Sequence, residues 1–224
     1  MNKQQRGFTL VEIAIVLVII GLLLGGVLKG QEMVTSAKVR NLADQGSAIK
    51  TAFFAFQDRY RAVPGDYIAA STNINGVTVG VNNGNGNGNG LIDTANDIGL
   101  FWLHLSASGF ITGSYDGQPQ GNNLGCPATR CPNNSYGAPM LFSRNSAADG
   151  TNRLAHELRT GRSIPVDVLA ELDRKIDDGI PRTGNFQVDQ NVNAGSCRTG
   201  AGAASTYDIV ANNPQSDCAG VHIL

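Results

Sequence analysis

The chain has 224 residues, a formal net charge of −1, and 16% charged against 42% hydrophobic residues. That balance leaves no basic field to hold a nucleic-acid backbone. The length exceeds what one membrane-crossing segment needs and allows a compact domain with its own core.

The N-terminal stretch is the most informative. Lys3 and Arg6 precede Gly7, and an apolar-rich run of 21 residues follows, Phe8 to Leu28, with a single carboxylate, Glu12. About 20 residues at about 1.5 Å rise cross a hydrocarbon core of ~30 Å, so the run reads as a membrane-spanning helix. The basic residues hold its N-terminus in the cytoplasm. A carboxylate inside such a run costs roughly 2.5–3.5 kcal/mol on insertion scales and needs a reason to be there. A secretory signal peptide fits poorly, because its apolar core is shorter and Leu28-Lys29-Gly30-Gln31 lacks a small-residue cleavage site. A plain anchor fits length and flanks but leaves Glu12 unexplained.

Arg6-Gly7-Phe8-Thr9-Leu10-Val11-Glu12 followed by an apolar helix resembles the prepilin leader shared by type IV pilins and the pseudopilins of type II secretion systems. The resemblance is specific over residues 6–30 and looser beyond Tyr60. It implies that a prepilin peptidase cuts between Gly7 and Phe8 on the cytoplasmic side, and that the new α-amine of Phe8 is methylated. The resemblance further implies assembly into a helical filament of packed N-terminal helices. There the Glu12 carboxylate of one subunit pairs with the Phe8 amine of a neighbour and sets axial register. Loss of Lys3 and Arg6 with the leader makes the mature chain more acidic.

Apolar periodicity continues past the membrane run. Val39, Leu42, Gly46, Ile49, Phe53, Phe56 and Tyr60 form one stripe, with Lys38, Asp44, Gln45, Lys50, Gln57 and Asp58 between them. One helix is therefore predicted from Phe8 to about Tyr60, with its second half packed under a head domain. Gly21, Gly25, Gly26 and Gly30 weaken helicity, each by about 1 kcal/mol relative to Ala. That composition suits close helix packing or local melting in a filament, with a continuous helix in the isolated subunit.

Ala62-Val63-Pro64-Gly65-Asp66 is a turn signal. An Asn- and Gly-rich surface loop follows, Thr72 to Asp93, then a helix over Asn96 to Ser108 with Ile98, Phe101, Trp102 and Leu105 on its core side. Met140-Leu141-Phe142, Phe186-Gln187-Val188 and Tyr207-Asp208-Ile209-Val210 read as short strands. A further helix starts with Ser163 as cap and Pro165 in its first turn, carries Val168, Leu169, Leu172 and Ile176, and ends at Gly179. The expected fold is α+β and matches the pilin fold the leader implies, a long helix on a small antiparallel sheet with extra short helices. Its parts are leader 1–7, membrane and filament-core helix 8–30, amphipathic half 31–60 and extracytoplasmic head 61–224.

The four cysteines (Cys126, Cys131, Cys197, Cys218) lie outside the cytoplasm in this topology, where disulfides persist. Of three pairings, Cys126–Cys131 and Cys197–Cys218 are favoured, each closing a loop. Their spacings do not give the paired knuckles of structural zinc.

Asn85, Asn87, Asn89, Gly90 and Asp93 follow the first nine positions of a calcium loop. The early ligands are all neutral, and Asn96 stands where a bidentate Glu belongs, so a Ca²⁺ site here is weak and competes with plain loop. Asp173, Asp177 and Asp178 form an acidic cluster at a helix end, which reads as a solvated terminus or as one offset by a cation or by Arg174, Lys175 and Arg182. His104, His156 and His222 are isolated, and no hydrolase, Walker or Rossmann signature occurs.

The expected function is that of a non-enzymatic pilin-like subunit. Its partners are copies of itself or related pilins, the prepilin peptidase and methyltransferase, the inner membrane and an assembly platform. It inserts as a single-pass precursor with a periplasmic head and then joins a surface or periplasmic filament. A type II secretion pseudopilin is the alternative, and a membrane-anchored periplasmic binding protein or enzyme a remote one.

Overall fold

Helix α1 runs unbroken from Leu10 to Tyr60, through all four glycines of its apolar half. The computed structural model describes residues 9–78, 80–145, 154–192, 197–200, 202–209 and 216–224. The chain divides into two compact units, Met1–Lys38 and Val39–Leu224. In the first unit the apolar side chains of α1 are exposed from Leu10 to Val34. This helix is long and apolar enough to cross a membrane.

In the second unit the sequence stripe is the buried stripe. Val39, Leu42, Gly46, Ile49, Phe53 and Phe56 of α1 are buried, while Asp44 and Asp58 face solvent. Gly46 is required by a close approach: a Cβ there would lie 2.6 Å from Nε2 of His222. Tyr60 ends the helix and Arg61 turns into the left-handed region at φ 52°.

Besides two short 3-10 turns, this unit adds among its described residues six short strands and three more α-helices. They are α2 (Ala70–Asn73), α3 (Ala95–Ala107), β1 (Leu141–Asn145), β2 (Ala155–Arg159), α4 (Val166–Ile176), β3 (Phe186–Val188), β4 (Arg198–Thr199), β5 (Thr206–Tyr207) and β6 (Gly220–Ile223). Four strands form one antiparallel sheet in the order β1-β2-β6-β3, in register at Phe142 with Leu158, Leu158 with His222, and Phe186 with His222. The expected α+β class holds. β4 and β5 pair in a separate two-stranded sheet.

The core gathers where α1 meets α3 and the main sheet. Phe53 stacks on Phe142 at 5.1 Å between ring centroids, and Phe142 on Phe101 at 4.1 Å. Burying each such ring contributes roughly 1.5–3 kcal/mol. A second apolar cluster joins Val39 and Leu42 to Leu169 and Leu172 of α4 and to Phe186 and Val188 of β3.

Several local expectations shift. Helix α3 begins one residue earlier than predicted, because Thr94 caps it. The Thr94 hydroxyl accepts from the Asp97 amide and the Asp97 carboxylate accepts from the Thr94 amide, a reciprocal capping box. This helix is also buried on every side from Asp97 to Leu105 rather than along one stripe. Ser163 does not cap α4: it stands at φ 65°, and Pro165 occupies the cap position with no side-chain bond. α4 ends at Ile176, short of Gly179. The strand expected at 207–210 reduces to Thr206–Tyr207, and Val210 lies outside the described residues.

Candidate functional site

Among the described residues of the head, two groupings of polar side chains and a pair of disulfides bear on a candidate site. The first surrounds the Asn-Gly loop. Asn85 turns to Ser71, accepting from its amide at 2.9 Å and donating to its hydroxyl at 2.9 Å. Asn87 Oδ1 accepts from the Asn89 amide, and Asn89 Oδ1 from the Leu91 amide. The centre of the loop is a residue the sequence pattern did not single out, Asp66. Its carboxylate accepts from the amides of Gly88, Asn89 and Gly90 at 2.7, 3.2 and 2.5 Å. Gly86 permits this wrapping, since a Cβ there would lie 2.2 Å from the Asp66 carbonyl carbon. The repeat is thus a packed turn around a carboxylate. Its signal in the sequence is the alternation of glycine, which frees backbone amides to point inward.

His104 fastens this turn from beneath. Its Nδ1 accepts from the Gly65 amide at 2.8 Å and its Nε2 donates to the Gly84 carbonyl at 2.7 Å. Both ring nitrogens are used by the neutral form, and burial pushes the ring down to about 4. His222, buried on β6, is pushed down to about 3 by burial and then by the positive charge of Lys50.

The acidic cluster at the end of α4 is the second grouping. One oxygen from each of Asp173, Asp177 and Asp178 lies within 4.8 Å of the others. Each carboxylate has a local donor. Tyr207 donates its hydroxyl to Asp173 at 2.7 Å, the Phe186 amide reaches Asp177 at 2.6 Å, and the Ile180 amide reaches Asp178 at 2.8 Å. The cluster therefore ties off the helix C-terminus and joins it to β3 and β5. Burial pushes Asp173 up to about 6, and the Tyr207 hydroxyl and the Gly179 amide, which both donate to it, oppose that shift only in part.

These groups set a pH dependence with opposing signs. Between pH 4 and 6.5 the unfolded chain holds more protons on His104 and His222 than the folded chain, so acidification destabilises the head. Between about 4 and 6 the folded chain holds more protons on Asp173, which offsets part of the loss. At ~1.4 kcal/mol per proton per pH unit, these three groups together cost the head roughly 2 kcal/mol between pH 6.5 and 5. Urea unfolding midpoints at pH 7 and pH 5 measure it; equal midpoints contradict it.

The disulfides are Cys126–Cys131 and Cys197–Cys218, with Cα atoms 6.0 and 5.9 Å apart. The second links the start of β4 to the residue pairing with Ile164 just before β6.

At the other end of the chain, Thr9 and Glu12 form a closed constellation at the start of α1. The Glu12 carboxylate accepts from the Thr9 amide and hydroxyl, both at 2.8 Å, and the Glu12 amide donates to the Thr9 hydroxyl at 3.2 Å. Thr9-Leu10-Val11-Glu12 is a capping box written in the sequence, and it gives Glu12 a local role that the membrane-cost argument overlooked. Gly7 and Phe8 lie outside the described residues.

Residues 2–28 match the family model described as the prokaryotic N-terminal methylation motif. The chain carries the signature of type IV pilins and pseudopilins. No curated protein and no solved structure matches the chain.

The pilin-type signature implies processing by a prepilin peptidase and assembly into pilus-like filaments. Residues 2–28 take in the capping box and most of the exposed apolar half of α1. That helix can anchor the chain in a membrane.

Proposed function

We propose that the protein is a structural, non-enzymatic subunit that assembles through α1 into an extracytoplasmic type IV pilus-like filament. The observation that carries this reading is the methylation motif over residues 2–28, continuous with an exposed apolar helix that ends in a folded head. In the precursor, residues 1–7 form the leader and the apolar half of α1 holds the chain in the inner membrane. Cleavage between Gly7 and Phe8 creates an amine, which is methylated. The apolar surface from Leu10 to Val34 then leaves lipid for contact with neighbouring copies, where packing and pairing replace the bilayer. Pseudopilins of type II secretion systems share the signature; the long head with its two disulfides favours the pilus subunit.

The test is mass spectrometry of the chain produced with a prepilin peptidase. The expected product begins at Phe8 and carries one added methyl group. Gly7→Val is expected to keep the full precursor mass, because a branched side chain at the cleavage junction blocks the peptidase. A Gly7→Val product starting at Phe8 would refute the assignment of the junction. Electron microscopy of surface filaments, present in the native strain and absent with Gly7→Val, tests the assembly step.

A further inference from the structure

Asn-Gly occurs five times in the chain, beginning at Asn75, Asn83, Asn85, Asn87 and Asn89. The five steps share one chemical liability. A glycine amide, unshielded by any Cβ, can reach the side-chain carbonyl carbon of the asparagine before it. The fold does not treat the five alike.

Across the turn around Asp66 both reacting groups are held. The Gly88 amide donates to the Asp66 carboxylate at 2.7 Å and to the Asp66 carbonyl at 3.0 Å. The Gly90 amide donates to the other carboxylate oxygen at 2.5 Å, and the Gly86 amide to the Tyr67 carbonyl at 3.0 Å. The asparagine side chains are tied as well: Asn85 to Ser71, Asn87 to the Asn89 amide, and Asn89 to the Leu91 amide. Gly84 is buried, a Cβ there would collide with the Val77 carbonyl, and its own carbonyl accepts from His104. An amide must lose its proton to attack. A carboxylate seated on that proton opposes the loss through its charge as well as through the bond.

Asn75–Gly76 has none of these restraints. Both residues are exposed in the turn after α2, Gly76 stands at φ 85°, and a Cβ there would meet nothing within 4 Å. Among the described residues neither the Asn75 side chain nor the Gly76 amide has a hydrogen-bond partner.

We propose that Asn75 is a modification site of the head, where the chain converts its own asparagine to aspartate and isoaspartate, while the fold protects the four steps of the repeat, two of them through Asp66. The Gly76 nitrogen bonds to Cγ of Asn75, the Cγ–Nδ2 bond breaks, and Nδ2 leaves as ammonia with the former amide proton. Water then opens the cyclic imide. Breaking the bond from nitrogen to Cγ gives aspartate; breaking the bond from nitrogen to the main-chain carbonyl gives isoaspartate, with the chain running through Cγ. One water is consumed and one ammonia released, with no oxidation or reduction. Either product adds a negative charge to the surface beside α2, so the head gains charge as the molecule ages. The site does not depend on what the protein assembles into.

The experiment is timed incubation of the full chain in detergent micelles in mildly alkaline buffer, native and in guanidinium chloride. Each asparagine is followed by fragment-ion mass spectrometry of proteolytic peptides. In the native chain Asn75 is expected to gain the mass of amide-to-acid exchange about tenfold or more faster than Asn83, Asn85, Asn87 or Asn89. Opening a hydrogen bond to a charged group lowers the reactive population roughly ten- to a hundredfold. In guanidinium the five rates are expected to converge within a few-fold. Asp66→Ala is expected to accelerate Asn87 and Asn89 by roughly tenfold and leave Asn75 unchanged. Where that variant does not fold, the native and denatured rates decide alone. Three results overturn the proposal: Asn75 no faster than the repeat in the native chain, a repeat that stays slow in guanidinium, or Asn87 and Asn89 unaffected in folded Asp66→Ala.

Discussion

Glu12→Gln and Glu12→Ala precursors are expected to insert in the membrane and lose residues 1–7 normally, and both to assemble at least about a hundredfold less well than the native chain. The two variants separate two roles of one side chain. Glu12 caps α1 through the amide and hydroxyl of Thr9. Gln keeps an oxygen for that purpose, as capping boxes accept either residue, and Ala does not. Loss of a cap costs about 1 kcal/mol. In the proposed filament the methylated Phe8 amine of one subunit pairs with the Glu12 carboxylate of a neighbour, and removing one partner of a buried pair costs roughly 3–5 kcal/mol. At ~1.4 kcal/mol per tenfold, that is a hundredfold or more in each assembly equilibrium. The measurement is the ratio of sheared filament to cell-bound subunit. Native assembly of Glu12→Gln beside failure of Glu12→Ala assigns Glu12 to the cap and removes the charge pairing from the proposed function.

Arg159→Met is expected to destabilise the head by about 3–5 kcal/mol, the largest single loss among its polar contacts. Arg159 and Asp189 are 1% and 0% exposed in their side chains, and Nε lies 2.6 Å from Oδ2. A second guanidinium nitrogen donates to the Asn122 carbonyl at 3.2 Å. Burial raises Asp189, and Arg159 holds it down; without the guanidinium, a charge stays in the core with the Asn191 amide and the weaker pull of Arg162 to offset it. The paired variant Arg159→Met with Asp189→Leu is expected to recover most of the loss, since apolar replacement of a whole buried pair is often neutral. Denaturant midpoints of the two single variants and the double variant give the coupling. A double variant as unstable as the sum of the singles would show that the two residues act separately.

The sequence was most legible where one physical rule acted alone. The stripe from Val39 to Phe56 follows helical period, and α1 buries those positions. The leader and its apolar run are local in the chain, and the methylation motif covers them. Strands were harder. β2, Ala155–Arg159, carries Glu157 and Arg159 at 0% and 1% exposure, so its buried positions include charges and its alternation reads as polar. β6 is four residues long, and its histidine is sheltered by a glycine of α1, a match no local window contains. The Asn-Gly repeat looked like a ligand loop by spacing alone. Its partners, Asp66 and Asp97, stand before and after it in the chain, and only folding brings them to it.

The position of β6 has a consequence for timing. Residues 220–223 form an inner strand, hydrogen-bonded to β2 on one side and β3 on the other. β1 and β2 can pair as soon as both have emerged from a translocation channel, but β3 has no neighbour in the sheet until β6 arrives. A head exported from its N-terminal side therefore stays open along one seam until residues 220–223 have crossed. In that interval Phe186 and Val188 lack the cover of β6, while in the proposed precursor the apolar half of α1 already sits in the bilayer. Closure of the sheet by β6 is the event that completes the head.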